Sequence, residues 1–300
     1  MKSGMPRRGS PRRGLPGRDA SLVAICASLF LCNLGCREDA KVSAQKAADQ
    51  AAWAEKQNED DVAKISTGLT AGAKEFAPLY ANGGDPRVDP QEVRATLFRV
   101  RKNVPELNVA KTTFSVLIDA QGVGIRNDLE QDSMAGANLF ATFPNLKNPK
   151  APFTTATGVL KGASTSAAQN DKTWVGEVPV QKSDGSVGGY YLTGYTLRQY
   201  AFQLQDALKQ KMNDDLAKRN DHAKLPVFYL MLFDASGAYG APMTPEVNET
   251  QVKDLDLVSK TATAPAQGVV NISDRDFGYA ATRLPSFGPD IGVVVLRSEI

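Results

Sequence analysis

The sequence predicts an α+β protein in which a long N-terminal helix leads into two antiparallel, strand-rich halves joined by a second long helix. Three observations carry this. Residues 40 to about 79 are rich in Ala, Lys, Gln, Glu and Asp, with no proline before Pro78. Two segments, Phe114 to Gly122 and Tyr229 to Gly237, each read as a buried strand closing in Asp-Ala-X-Gly, with their aspartates 115 residues apart, the length of one small α+β unit. Between them, Leu197 to Lys218 carries Tyr200, Leu204, Leu208 and Met212 on one helical face. The periodicity alone also allows one larger sheet with that helix packed on a face.

In order along the chain, the first helix shows loosely recurring apolar residues (Ala47, Ala51, Val62, Ile65, Leu69, Phe76), with Gly68 and Gly72 as candidate breaks and Trp53 as a packing residue. A second helix starts at Asp89 as N-cap, with Pro90 at the first helical position and Glu92 three residues after the cap. Val93, Leu97 and Val100 form its apolar face, and Val104-Pro105 stops it. Thr112 to Asp119 then reads as a strand, Ala120-Gln121-Gly122 as a tight turn and Val123 to Arg126 as its partner. Residues 136 to 170 read as a long loop rich in Gly, Thr, Ser, Asn and Pro, of a length that is functional or mobile in compact domains. Thr173 to Val180 and Val187 to Tyr195 form a second hairpin around Ser183-Asp184-Gly185. Pro226 to Asp234 with Ala238 to Gly240 forms a third, and Val269 to Ser273, Phe277 to Arg283 and Ile291 to Leu296 supply three more strands.

The first 35 residues have the layout of a secretory signal. Lys2, Arg7, Arg8, Arg12, Arg13 and Arg18 precede an apolar stretch from Leu22 to Leu34. That stretch is shorter than the ~18 to 20 residues that span a bilayer. It ends in Leu34-Gly35-Cys36 and then turns polar, which resembles the bacterial lipobox, although Asn33 and Leu34 stand where that motif has Leu and a small residue. The resemblance implies lipid on Cys36 and a mature chain tethered to a bacterial membrane, facing the periplasm or exterior. With Cys26 and Cys32 in the leader, the mature chain keeps one cysteine and forms no internal disulfide.

Six of the 35 basic residues and one of the 33 acidic ones lie ahead of Cys36, which leaves 29 against 32. No Lys/Arg-rich run follows, so nucleic acid is excluded as an expected partner. The one histidine, His222, sits in a charged helix end, and there is no phosphate-cradling Gly-Lys-Ser/Thr loop. Asp119 and Asp234 are explained as turn formers, and Asp274 and Asp276 around Arg275 as a surface turn. The expectation is a chain that is not an enzyme and holds no cofactor or metal.

The order of elements resembles the extracytoplasmic PAS-like sensor modules known as double Cache domains, over roughly residues 45 to 300. The long helix, the strand to Asp119, the hairpin from Val178-Pro179-Val180 to Gly188-Gly189-Tyr190, the helix from Leu197 and the strand to Asp234 carry it. It departs in having no transmembrane helix or transmitter after the sensor, and in lacking the Arg-X-Trp-Tyr run of amino-acid-binding members, since Lys172-Thr173 precede Trp174 and Val175 follows it. Together with the leader, it implies a signal peptide over 1–35, helical stalk and packing helices over 36–107, a first PAS-like half over 108–222 and a second over 223–300. It also implies a ligand pocket on the open face of the first sheet beneath the long loop, with Trp174, Glu177, Tyr190, Tyr191 and Tyr195 as ligand-binding candidates, about half of which must point away because strand side chains alternate. The function expected is a lipid-anchored sensor or small-molecule-binding lipoprotein that passes its signal to an envelope protein. The alternative is a structural or assembly lipoprotein acting through protein contacts. An exposed apolar helix face over a filled core would favour the alternative.

Overall fold

The computed structural model describes residues 20–109, 114–146, 151–160, 172–220 and 225–299, with side chains from Asp39 onward. Helix α1 (Ala20–Phe76) runs without a break and is followed by α2 (Pro90–Asn103). A first unit holds β1 (Phe114–Asp119), β2 (Gly124–Asn127), the short α3 (Leu139–Thr142), β3 (Thr154–Gly158), β4 (Thr173–Gln181) and β5 (Val187–Thr196). Helix α4 (Leu197–Lys218) leads to a second, with β6 (Val227–Asp234), β7 (Gly237–Gly240), α5 (Glu246–Asp254), α6 (Leu257–Lys260), β8 (Ala266–Ile272), β9 (Arg275–Arg283) and β10 (Gly292–Ser298).

The strands form two separate five-stranded antiparallel sheets, ordered β2-β1-β5-β4-β3 and β7-β6-β10-β9-β8. The two orders are the same permutation, so the single-sheet alternative is set aside. Each opening strand ends on its aspartate as the sequence indicates: Asp119 Oδ1 accepts from the amides of Gln121 and Val123 at 2.9 Å, and Asp234 Oδ1 from those of Ser236 at 2.7 Å and Gly237 at 3.2 Å. The turns differ in one respect. Gly122 adopts φ 85°, whereas Gly237 has no positive φ, because Asp234 pairs directly with Gly237 across a two-residue turn.

Gly68 and Gly72 do not break α1. They are points of close approach: a Cβ on Gly68 would press on Leu107 and Val104, and one on Gly72 on Val100 and Tyr191. Asp89 caps α2 through the amide of Glu92 at 3.1 Å. The loop expected over 136–170 contains α3 and an edge strand, β3, that its composition did not announce.

Alternation along the strands gives the molecule three cores. Leu117, Trp174, Tyr191 and Tyr195 of the first sheet and Leu230, Leu232, Val293 and Val295 of the second share a central core with α1 and α4. The outer face of the first sheet (Val116, Ile118, Val175, Tyr190, Leu192) is covered by Met134, Leu139, Phe143 and Leu146. The outer face of the second (Met231, Phe233, Val294, Leu296) is covered by Val252 and Leu257 of α5 and α6. A polar network ties the central core together. Buried Asn58 donates to Tyr200 Oη at 3.3 Å and accepts from Ser286 Oγ at 2.6 Å, while Tyr200 donates to Asp61 at 3.0 Å. Lys172 of the first half forms an ion pair with Asp234 of the second.

Candidate ligand site

The hairpin β4–β5 positions the five residues the sequence singles out, and parity divides them. Glu177 pairs across with Leu192 and Pro179 with Tyr190, so Glu177 and Tyr190 lie on the outer face beneath the 134–146 cover. Trp174, Tyr191 and Tyr195 point the other way, into the central core.

The cover is fixed at its start by main-chain bonds. Gly136 N donates to Gly124 O and Leu139 N to Gly122 O, both at 2.8 Å. Asn138 caps α3 through the amide of Ala141 at 3.0 Å. Phe140 then meets Tyr190 edge to face, with centroids 5.4 Å apart.

Glu177 is the chemical anomaly of this face. It is 1% exposed, and neither carboxylate oxygen has a hydrogen-bond partner among the described residues. Its cross-strand neighbours are Leu192 on one side and Thr154 on the other. Burial without a partner disfavours the charged form, and the Glu177 carboxyl is pushed up to about 8. Tyr190 is raised too, first by burial and then by the neighbouring Glu177. A buried polar group with no partner costs about 1 to 3 kcal/mol even when neutral. Such a group marks a candidate site rather than a packing solution.

Of the other three candidates, Trp174 and Tyr195 belong to a packed aromatic layer and Tyr191 packs apart from it. Trp174 stacks on Tyr195 at 5.2 Å and Tyr195 on Tyr200 at 4.9 Å. Tyr191 packs on Phe76 at 4.8 Å and donates to Ser115 Oγ at 3.4 Å. Sequence reasoning passed over Asn58 and Asp61. The available signal was polar residues, spaced three apart, on a helical face that otherwise presents Ala54 and Ile65.

Among the described residues no group of His, Cys, Asp and Glu is placed to hold a metal ion. Asp274 lies in a surface turn with φ 62°, but Arg275 and Asp276, which the sequence groups with it, already belong to β9, paired with Ile272 and Asn271 of β8. His222 lies outside the described residues, as do the side chains of Cys26, Cys32 and Cys36, whose backbone belongs to α1. No described helix is long and apolar enough to cross a membrane.

In sequence the chain matches no protein-family model and no curated protein. In structure it is similar to the extracellular domain of the histidine kinase vpHK1S-Z8, with a TM-score of 0.55, 10% identity, and coverage of 87% of this chain and 93% of that one. It is also similar to a domain of a sensory box/GGDEF family protein from Vibrio parahaemolyticus, with a TM-score of 0.54, 11% identity, and coverage of 87% and 97%. An extracellular ligand binding receptor from Desulfohalobium retbaense aligns with a TM-score of 0.50 and 12% identity over 82% of this chain, which spans 39% of that receptor. The long helix and the twice-repeated five-stranded sheet therefore make up the PAS-like, double-sheet fold of extracellular sensor domains.

Proposed function

We propose that this chain is an extracytoplasmic sensor that binds a small molecule bearing a cationic group, held by Glu177 beneath the 134–146 cover with Tyr190 beside it. The observation that carries the reading is the buried carboxylate of Glu177, which has no hydrogen-bond partner among the described residues. An ammonium or guanidinium group would satisfy both oxygens and make the charged form favourable, so binding expels a proton below about pH 8. Trp174, Tyr191 and Tyr195 enter as the rigid layer beneath the sheet. The chain acts by binding and not by catalysis, lipid on Cys36 tethers it to the envelope, and a partner protein there receives the signal. The fold shared with extracellular sensor domains supports the location. The assembly alternative gains little, since Val42 is the one large apolar residue strongly exposed on α1 among the described residues.

The test is a thermal-shift and calorimetric screen of the chain against amines, amino acids and quaternary ammonium compounds. A cationic hit should raise the melting temperature by mass action, and Glu177→Gln should weaken it at least about tenfold. If no cationic compound binds, or if the hits bind Glu177→Gln unchanged, the reading fails.

A further inference from the structure

A groove lies between α1, α4 and β10, with a volume of about 530 Å³, within the range of small-molecule pockets. Two polar side chains that line it, Gln50 and Arg297, are each 8% exposed. Both end on one thioether: Gln50 Nε2 donates to Met212 Sδ at 3.0 Å, and Arg297 Nη1 faces the same sulfur at 3.8 Å. Sulfur is a weak acceptor for such donors. Glu299 occupies the other edge of the guanidinium, taking Nε at 3.0 Å and Nη2 at 3.4 Å, and is itself held by Lys46 at 2.9 Å. Among the described residues the Nη1 edge is thus left with sulfur. The second amide atom of Gln50, Oε1, is buried with no partner among the described residues, and a half-turn of the amide would present NH₂ at that position.

We propose that this groove is a second ligand site, separate from the one beneath the 134–146 cover, and that it takes a small organic carboxylate with an apolar body. The oxyanion accepts from Arg297 Nη1 and from the Gln50 amide, in place of one shared sulfur. The apolar body lies against Trp53, Leu208 and Met212, which line the same groove. Among the described lining residues four are cationic and three are carboxylates, a balance that favours an anion. Because α1, α4 and β10 all contribute, an occupant would brace the long helix against the second sheet.

The probe is benzoate, titrated into the full chain at constant ionic strength while tryptophan fluorescence and melting temperature are followed. The chain has two tryptophans, and Trp174 is fully buried in the aromatic layer, so Trp53 reports on the groove. Benzoate should quench saturably and raise the melting temperature, Trp53→Phe should abolish the quench, and Gln50→Ala should weaken binding at least about threefold. Arg297→Gln should weaken it about tenfold or more. Gln50→Ala serves alone if the strand variant does not fold. Glu177→Gln should leave the titration unchanged, which separates this site from the first. A response no larger than that to chloride up to about 10 mM, or a benzoate affinity indifferent to Gln50→Ala and Arg297→Gln, overturns the assignment.

Discussion

Trp174 of β4 stacks on Phe287 of the β9–β10 connection, with ring centroids 5.0 Å apart and planes 20° apart. The first half therefore meets the second through a ring face, and the neighbouring Thr157 Oγ1 donates to the Phe287 carbonyl at 3.1 Å. Phe287→Ala should leave a cavity beneath the indole and cost about 3 to 5 kcal/mol. Urea denaturation in a Trp53→Phe background checks this, with the Trp174 emission shifting to the red before global unfolding.

Glu177 makes stability depend on pH. Its folded pKa is raised from 4.5 to about 8, so the stability it contributes is present in full below about pH 4.5 and is lost as pH rises through 8. Glu177→Gln should flatten that part of the melting-temperature profile and stabilise the ligand-free chain above pH 8 by a few kcal/mol, on the order expected from linkage. Melting curves from pH 5 to 9 decide the matter, and a wild-type profile parallel to that of the variant would count against it.

The Asn58–Tyr200–Asp61 network should be sensitive to the loss of one hydroxyl. Burial raises the Asp61 pKa, and the hydrogen bond from Tyr200 opposes that rise. Tyr200→Phe should cost about 1 to 3 kcal/mol and raise the Asp61 pKa further, as seen by carboxyl NMR titration.

Two glycine substitutions should behave oppositely. A Cβ on Gly278 would overlap the backbone of α1 at Ala44 and Ala40, which has no side chain to swing aside. Gly278→Ala should therefore destabilise by more than about 2 kcal/mol. Gly237 has open space around its Cβ position and no positive φ, so Gly237→Ala should stay within about 0.5 kcal/mol. Chemical denaturation of the two variants gives the comparison.

Cys36→Ser tests the tether. Fractionation of cells carrying each chain should show membrane association for the native protein and release of the variant into the soluble envelope fraction, without loss of export.

The architecture was legible where signals are local. The cap at Asp89, the bounds Leu197 and Lys218 of α4 and both Asp-Ala-X-Gly turns follow from neighbouring residues. Thr154–Gly158 was not legible, because a half-exposed edge strand of Thr, Ala and Gly shows no apolar alternation. The small helices α5 and α6 were passed over, too short to display a period. For the site, the hairpin was readable, but which of its residues share a face depends on register across β4 and β5. A shift of one residue exchanges Glu177 and Tyr190 for Trp174, Tyr191 and Tyr195. Glu177 is the one charged residue in Thr-Trp-Val-Gly-Glu-Val-Pro-Val, and its burial is visible only in the fold.

Helix α1 touches Gly278 of the second sheet at Ala44 and Tyr191 of the first at Gly72. The 28 residues between these points span about 42 Å at 1.5 Å each. With no hinge between them, the helix behaves as a lever whose ends cannot shift independently, so an ångström of travel imposed at the first sheet must reappear at the second.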